Sequence, residues 1–144
     1  MSTWAGAYTA IVTPFTRDGQ VDYERFKDLV EFQIAGGVDG IVPVGTTGES
    51  PTLDYVEHER VIEVAIETAR RRVKIIAGTG ANSTAEALGL TKHAKDAGAD
   101  ATLQVTPYYN KPNALGLTRH FSAVADLGLP VVLYNVPGRT GKEI

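Results

Sequence analysis

Three short segments of this sequence combine turn-forming residues with side chains that can hold an anion or carry a proton. In Gly45-Thr46-Thr47-Gly48-Glu49, which follows an apolar run, the glycines permit a tight turn whose backbone N–H groups can point at an anion, and a carboxylate would fit. The same residues also suit an ordinary turn after a strand, with a threonine bonding its own backbone. The spacing differs from a phosphate-binding Walker loop, and no lysine follows it. Tyr108-Tyr109 and Tyr134 stand at the ends of two further apolar runs. A phenol there can relay a proton when a hydroxyl such as that of Thr46 orders it, although single tyrosines more often pack or line interfaces. Arg139, just past the last of these runs, can grip a substrate carboxylate with its planar fork or make a plain surface ion pair.

Other chemistry is poorly supported. Gly78-Thr79-Gly80-Ala81-Asn82-Ser83 lacks the last glycine of a dinucleotide fingerprint and has no acidic ribose partner at the right distance. Asn82 and Ser83 read instead as a turn residue and a helix N-cap. His58, His93 and His120 fall on helical segments without a second ligand at metal-binding spacing, and there are no cysteines, so no metal is expected. Glu57 and Glu59 read as solvated, and Glu67 with Arg71 as an i,i+4 pair. Imine chemistry would need a lysine desolvated on a strand. Lys27, Lys92 and Lys95 lie on helical segments, Lys74 lies at the start of a strand, and Lys111 and Lys142 lie in loop or terminal positions, so none qualifies.

The elements that must position these groups repeat evenly. Apolar, β-rich runs cover Tyr8 to Thr13, Gly40 to Val44, Val73 to Ala77, Ala101 to Thr106 and Val131 to Tyr134. Between them apolar residues recur at helical spacing: Phe26, Leu29, Val30 and Ile34; Ile62, Ala65, Ile66 and Ala69; Leu117, Phe121, Val124 and Ala125. Gly36-Gly37, Gly98 and Gly128 suit left-handed residues that end helices, Pro130 blocks continuation of the fourth helix, and Asp54/Glu57 and Ser83/Glu86 have capping-box spacing. Arg70-Arg71-Arg72 places positive charge at a helix C-terminus and needs no ligand.

Strands linked through helices run parallel, and runs such as Val131-Val132-Leu133 suit burial on both faces. Two architectures fit, a five-stranded doubly wound sheet and the first part of a (β/α)8 TIM barrel. Every strand ends in polar or turn-forming residues, Thr13-Pro14 included, which favours a barrel with all its loops at one mouth. A barrel of roughly 250 residues does not close with so short a chain, so residues 1–144 are expected to supply five strands and four helices of a single barrel domain, with no second domain. The first and fifth strands should then present unpaired edges, and a stable isolated monomer would be surprising. With a formal net charge of −3, the chain has no basic surplus for nucleic acid or an anionic membrane. Met1-Ser2-Thr3-Trp4-Ala5-Gly6 has no leader pattern and no apolar run approaches a bilayer span, which reads as cytoplasmic.

In order and spacing, Gly45-Thr46-Thr47-Gly48-Glu49, Val105-Thr106-Pro107-Tyr108-Tyr109-Asn110-Lys111-Pro112 and Tyr134-Asn135-Val136-Pro137-Gly138-Arg139-Thr140-Gly141 closely resemble the dihydrodipicolinate synthase family. The resemblance runs from Tyr8 to Ile144 and covers about the first half of that family's barrel. It implies a class I aldolase-like reaction in lysine and diaminopimelate biosynthesis. Pyruvate forms a Schiff base with a lysine, its enamine attacks aspartate-4-semialdehyde, and the product cyclises to 4-hydroxy-tetrahydrodipicolinate, with no metal or organic cofactor.

The resemblance further implies that Thr46, Tyr109 and Tyr134 form a proton relay, Tyr109 crossing a tight dimer interface. The amides of Thr46 and Thr47 would hold the pyruvate carboxylate, and Arg139 would meet that of the semialdehyde. It places Ser50, Tyr55, His58, Asn82, Glu86 and Tyr108 at an allosteric lysine pocket, in a homodimer or homotetramer; apart from the resemblance, Glu86 reads as a capping residue and His58 as a surface group. Gly138 stands where many members have serine and should loosen the loop that aims Arg139. The Schiff-base lysine of the family lies on strand six, beyond Ile144, so these residues alone are expected to be inactive and to form no borohydride-trappable adduct with pyruvate. Aldolases acting on N-acetylneuraminate or keto-deoxy sugars share this chemistry, although Arg139 favours the synthase, and a noncatalytic half-barrel that binds a carboxylate is the remaining alternative.

Overall fold

A computed structural model describes residues 4–144, so the first three residues of the leader reading, Met1 to Thr3, lie outside the described residues. The chain divides into two compact units, one ending at Ile76 and the other beginning at Ala77.

The first unit contains β1 (Tyr8–Ala10), α1 (Tyr23–Ala35), β2 (Gly40–Val42), α2 (Tyr55–Ala69) and the start of β3 (Lys74–Gly78). The strands are parallel, with Tyr8 opposite Gly40 and Gly40 opposite Lys74. Asp22 caps α1 through the Arg25 amide, and Asp54 and Glu57 form the full capping box expected for α2. The two helices pack on each other, and Phe26 and Val30 of α1 and Val61, Ile62 and Ala65 of α2 are fully buried. His58 shares the buried face of α2 with Val61, Ile62 and Ala65, three, four and seven residues on, and is only 4% exposed. It is therefore a core residue and not the surface group that its polarity suggests.

The second unit holds the end of β3, α3 (Thr84–Ala97), β4 (Ala101–Val105), α4 (Ala114–Ala125), β5 (Val131–Tyr134) and a short α5 (Pro137–Thr140). β4 and β5 are parallel, with Thr102 opposite Val131 and Val105 opposite Tyr134. Strand order follows chain order, β1-β2-β3-β4-β5. No helix of the described residues is long and apolar enough to cross a membrane.

Several expectations need correction. The first, second and fourth strands stop short of the apolar runs: β1 ends at Ala10, although Ile11 and Thr13 beyond it are buried. β5 is half open to solvent, with Val132 38% and Leu133 49% exposed, because among the described residues it has a hydrogen-bonded neighbour, β4, on one side. α2 ends without a glycine; Arg70 and Arg71 take left-handed φ values of 48° and 60°. That turn carries Arg71 off the helix, so Glu67 pairs with Arg60 at 3.1 Å instead. Arg72 reaches back to Glu31 of α1, and this hydrogen-bonded pairing holds the Glu31 carboxyl below its ordinary value. Glu57 is committed to the capping box and is half-buried, as is Glu59. Gly37, Gly98 and Gly128 do adopt positive φ, whereas Gly36 is right-handed. Ser83 caps α3 through the Glu86 amide at 3.4 Å, as one half of the expected box.

Two polar groups lie deep in the second unit. Thr79, Thr91, Thr102 and Gln104 are all fully buried and bonded together; the Gln104 Nε2 lies 2.8 Å from the hydroxyls of Thr79 and Thr102 and 3.0 Å from that of Thr91. This cluster fixes β4 against α3 and the exit of β3 at the cost of a buried carbonyl, Gln104 Oε1, that has no protein partner. The other group is His120 on α4, whose Nδ1 lies 2.8 Å from the Thr84 hydroxyl at the start of α3.

Burial pushes the His120 imidazole below its ordinary value of 6.5, so the folded protein keeps it neutral while the unfolded chain takes up a proton. Stability is therefore expected to be complete above about pH 6.5 and to fall below it, by at most about 1.4 kcal/mol per pH unit from this one group. Urea unfolding at pH 7 and pH 5 checks this, and His120→Gln should flatten that part of the difference.

Candidate active site

The segments carrying Thr46 and Thr47, Tyr108 and Tyr109, and Arg139 follow the C-terminal ends of strands, and Tyr134 ends one. In the first unit, β2 leads into Val44, whose φ is 53°, a left-handed value that a β-branched residue adopts only when its surroundings dictate it. A 3₁₀ turn then spans Thr46–Gly48 and leaves through Glu49 at φ 59°. Within it the Gly48 and Ser50 amides donate to the Gly45 carbonyl, at 3.0 and 3.3 Å, and the Glu49 amide donates to Thr46 O at 3.1 Å. The amides of Thr46 and Thr47 begin the turn, ahead of the first amide that bonds within it, that of Gly48. Thr46 is half-buried and Thr47 exposed. Ser50 follows directly, and Tyr55 opens α2, 58% exposed.

In the second unit, β4 leads to Tyr108, Tyr109, Asn110 and Lys111, with φ of 70° at Tyr109 and 43° at Lys111. Tyr109 is 92% exposed. Its aromatic side chain thus stands in solvent on a left-handed backbone. Asn110 Nδ2 donates to the Asn82 carbonyl at 3.2 Å, pinning this loop to the turn after β3. Burial and the nearby Glu86 carboxylate raise the Tyr108 phenol above its ordinary value. Glu86 thus lies near Tyr108 and the Asn82 carbonyl is tied to the Tyr108 loop, while Ser50, Tyr55 and His58 belong to the first unit.

Tyr134 ends β5, half-buried, with its carbonyl accepting from the Thr106 amide at 3.2 Å and its phenol attached to that fixed backbone. α5 carries Arg139 and was not anticipated; Gly138 lies inside it in ordinary helical conformation with open space around its missing side chain. Thr140 is buried, with its hydroxyl within hydrogen-bonding reach of Val136 O and Lys142 O, at 3.2 and 2.8 Å, which fastens this turn. A cleft of about 570 Å³ is lined by Tyr108, Tyr109, Lys111, Gly138, Arg139 and their neighbours. Lys111 was overlooked as a lining residue; its chain lies across Gly141, where a Cβ would come within 2.9 Å of Lys111 Cε. Nothing in the local sequence distinguishes it from a solvated loop lysine.

The lysines match the expectation. Lys27 pairs with Glu24, Lys92 with Asp96, and Lys95 donates to Leu127 O at 2.6 Å. Lys74 opens β3 with its ammonium 4.3 Å from the Trp4 ring centroid. Lys111 is exposed in a loop, and Lys142 follows α5. None stands buried at the C-terminal end of a strand. Among the described residues no group of three or more His, Cys, Asp or Glu side chains could hold a metal ion.

The profile of the Dihydrodipicolinate synthetase family matches residues 3–144. A 4-hydroxy-tetrahydrodipicolinate synthase from Citrifermentans bemidjiense is 63% identical over 140 residues, which make up 96% of this chain and 48% of that protein. Among solved structures, the 4-hydroxy-tetrahydrodipicolinate synthase of Methylacidiphilum fumariolicum is 53% identical, with a TM-score of 0.95 covering 99% of this chain and 47% of the other. The chloride-inhibited dihydrodipicolinate synthase of Acinetobacter baumannii, complexed with pyruvate, is 56% identical with a TM-score of 0.95, covering 98% and 49%. The chain spans about half the length of the curated relatives it matches. Its parallel strands and alternating helices correspond to the N-terminal half of the (β/α)8 barrel of those relatives. On the profile match across nearly its whole length, joined to the three motif segments at the strand ends, the chain belongs to the dihydrodipicolinate synthetase family.

Proposed function

We propose that the protein carrying this sequence condenses pyruvate with aspartate-4-semialdehyde through a lysine Schiff base to give 4-hydroxy-tetrahydrodipicolinate, a lyase-class step of lysine and diaminopimelate biosynthesis in the cytoplasm. The observation that carries this reading is the Thr46–Gly48 turn, bounded by left-handed Val44 and Glu49 and bonded internally by the Gly48, Glu49 and Ser50 amides and not by those of Thr46 and Thr47, on a chain 63% identical to a synthase of that name. In this mechanism the Thr46 and Thr47 amides hold the pyruvate carboxylate, and the Tyr134 phenol, with the hydroxyls of Thr46 and Tyr109, moves protons to and from the carbinolamine and enamine oxygen and carbon centres. Arg139, in the cleft beside Tyr109 and Lys111, pairs with the semialdehyde carboxylate. Arg139 favours this synthase over the sugar-acid aldolases. Residues 1–144 form part of a single barrel domain, and no organic cofactor or metal takes part.

The exposure of Tyr109 supports a homodimer or homotetramer in which this phenol completes a neighbouring site. The closeness of Glu86 to Tyr108 supports a lysine effector held by Ser50, Tyr55, His58, Asn82, Glu86 and Tyr108. An unchanged rate at saturating lysine would reject the regulatory part.

The nucleophile must come from outside these residues, because none of their lysines is a desolvated strand-end amine. Borohydride reduction in the presence of pyruvate, applied to the protein expressed from its native gene, should therefore leave one reduced pyruvyl group on a lysine other than Lys27, Lys74, Lys92, Lys95, Lys111 and Lys142. A label on any of those six, or no label at all, would overturn the reading.

A further inference from the structure

The Thr46–Gly48 turn is strained at both ends, by Val44 before it and Glu49 after it, and must be held from outside itself. The exit of β1 does this. Thr13, 3% exposed, lies just beyond β1 and donates its hydroxyl to the Gly48 carbonyl at 2.7 Å. The same segment closes tightly over Gly48: a Cβ there would sit 3.1 Å from Ile11 O and 3.3 Å from Thr13 Oγ1. Ile11 is in turn tied to β2 by its amide, which donates to Val42 O at 3.2 Å. The last carbonyl of the turn is thereby fixed to a neighbouring strand end, two peptide units from the Thr47 amide and three from that of Thr46.

We propose that Thr13 is a positioning residue for the keto-acid carboxylate, acting through the Gly48 carbonyl to aim the Thr46 and Thr47 amides; this deepens the functional reading above and rests on it. Thr13 touches no substrate. Without its hydroxyl the Gly48 carbonyl loses a buried partner, the turn can relax toward ordinary φ values, and the two amides swing off the carboxylate. Binding of the semialdehyde carboxylate should be spared, because Arg139 stands on α5, in the other unit.

The test compares Thr13→Val, which keeps the shape and removes the donor, with Thr13→Ser, which keeps the donor. Both are made in the protein expressed from its native gene and assayed with pyruvate and aspartate-4-semialdehyde. Thr13→Val is expected to raise KM for pyruvate by about tenfold or more, the worth of a lost hydrogen bond to a charged group, while KM for the semialdehyde stays within about twofold. Thr13→Ser should return pyruvate KM to near the wild-type value. If Thr13→Val does not fold, Thr13→Cys, a weaker donor in the same place, must show the same pyruvate-selective rise to a smaller degree. Unchanged pyruvate KM in Thr13→Val, or equal losses for both substrates that Thr13→Ser fails to rescue, would overturn the assignment. A wild-type protein that cannot be trapped with pyruvate would instead overturn the functional reading, and this inference with it.

Discussion

Gly80→Ala is expected to destabilise the protein by about 3 kcal/mol or more, one of the largest effects a single added methyl can have. A Cβ built on Gly80 would lie 2.3 Å from the Val105 amide nitrogen and 3.0 Å from both the carbonyl carbon and the Cα of Gln104. All three are backbone atoms of β4, so no side chain can swing aside. The amides of Thr79 and Gly80 both reach the Leu103 carbonyl, at 3.3 and 3.1 Å, so separating the two segments also breaks those bonds. It would further pull Thr79 away from the buried hydroxyls of Thr91 and Thr102 and the amide of Gln104, leaving polar groups unpaired in the interior. Gly89→Ala is the matched control. Gly89 lies within α3 with open space where its side chain would be, so alanine there should stabilise by about 0.5 to 1 kcal/mol. Urea midpoints of the two variants should move in opposite directions, and a Gly80→Ala midpoint equal to wild type would show that β4 yields more easily than its packing implies.

The same glycine shows how far the sequence could be read. Gly78-Thr79-Gly80 was recognisable as a turn that is not a nucleotide loop, yet the reason for Gly80, close approach of a backbone distant in sequence, has no local signature. Strand positions were legible because each strand falls within an apolar, β-rich run, even though β4 buries Thr102 and Gln104 and β5 is half open, but strand ends were not. Ile11 and Thr13 stay buried after β1 stops pairing, and burial alone sets the apolar pattern. Helix ends were legible where glycine marked them, at Gly37, Gly98 and Gly128, and invisible at Arg70 and Arg71, where a left-handed turn is imposed on residues that do not favour it.

The candidate residues themselves could be picked out by type and order, since Tyr134 ends a strand and Thr46, Tyr109 and Arg139 lie in the loops or short helix that follow strands. What holds them could not. Val44 and Tyr109 adopt backbone conformations opposed to their local preference, which only the surrounding structure can enforce. Thr13 reads in sequence as one more polar strand-end residue, and its bond to Gly48 crosses from one strand exit to the next.

Tyr134→Phe is expected to reduce kcat for the condensation by about 10² to 10⁴, the range associated with removing a proton-transferring group, while leaving the fold intact. The part of Tyr134 that belongs to the architecture is its backbone: it pairs with Val105, and its carbonyl accepts from the Thr106 amide at 3.2 Å and the Thr106 hydroxyl at 3.3 Å. Phenylalanine preserves all of these and the ring, and removes the phenolic oxygen alone. Thermal midpoints should accordingly agree closely, whereas the rate should not. The size of the loss also tests whether Tyr134 works alone. If Thr46 and Tyr109 share the proton path, then Thr46→Val or Tyr109→Phe combined with Tyr134→Phe should cost little beyond the most damaging single change, because a relay cut once is already cut. Independent roles would instead multiply the losses. A Tyr134→Phe protein that retains half or more of its kcat would exclude this phenol from the proton path, and the reading of the strand-five end as catalytic would fall with it.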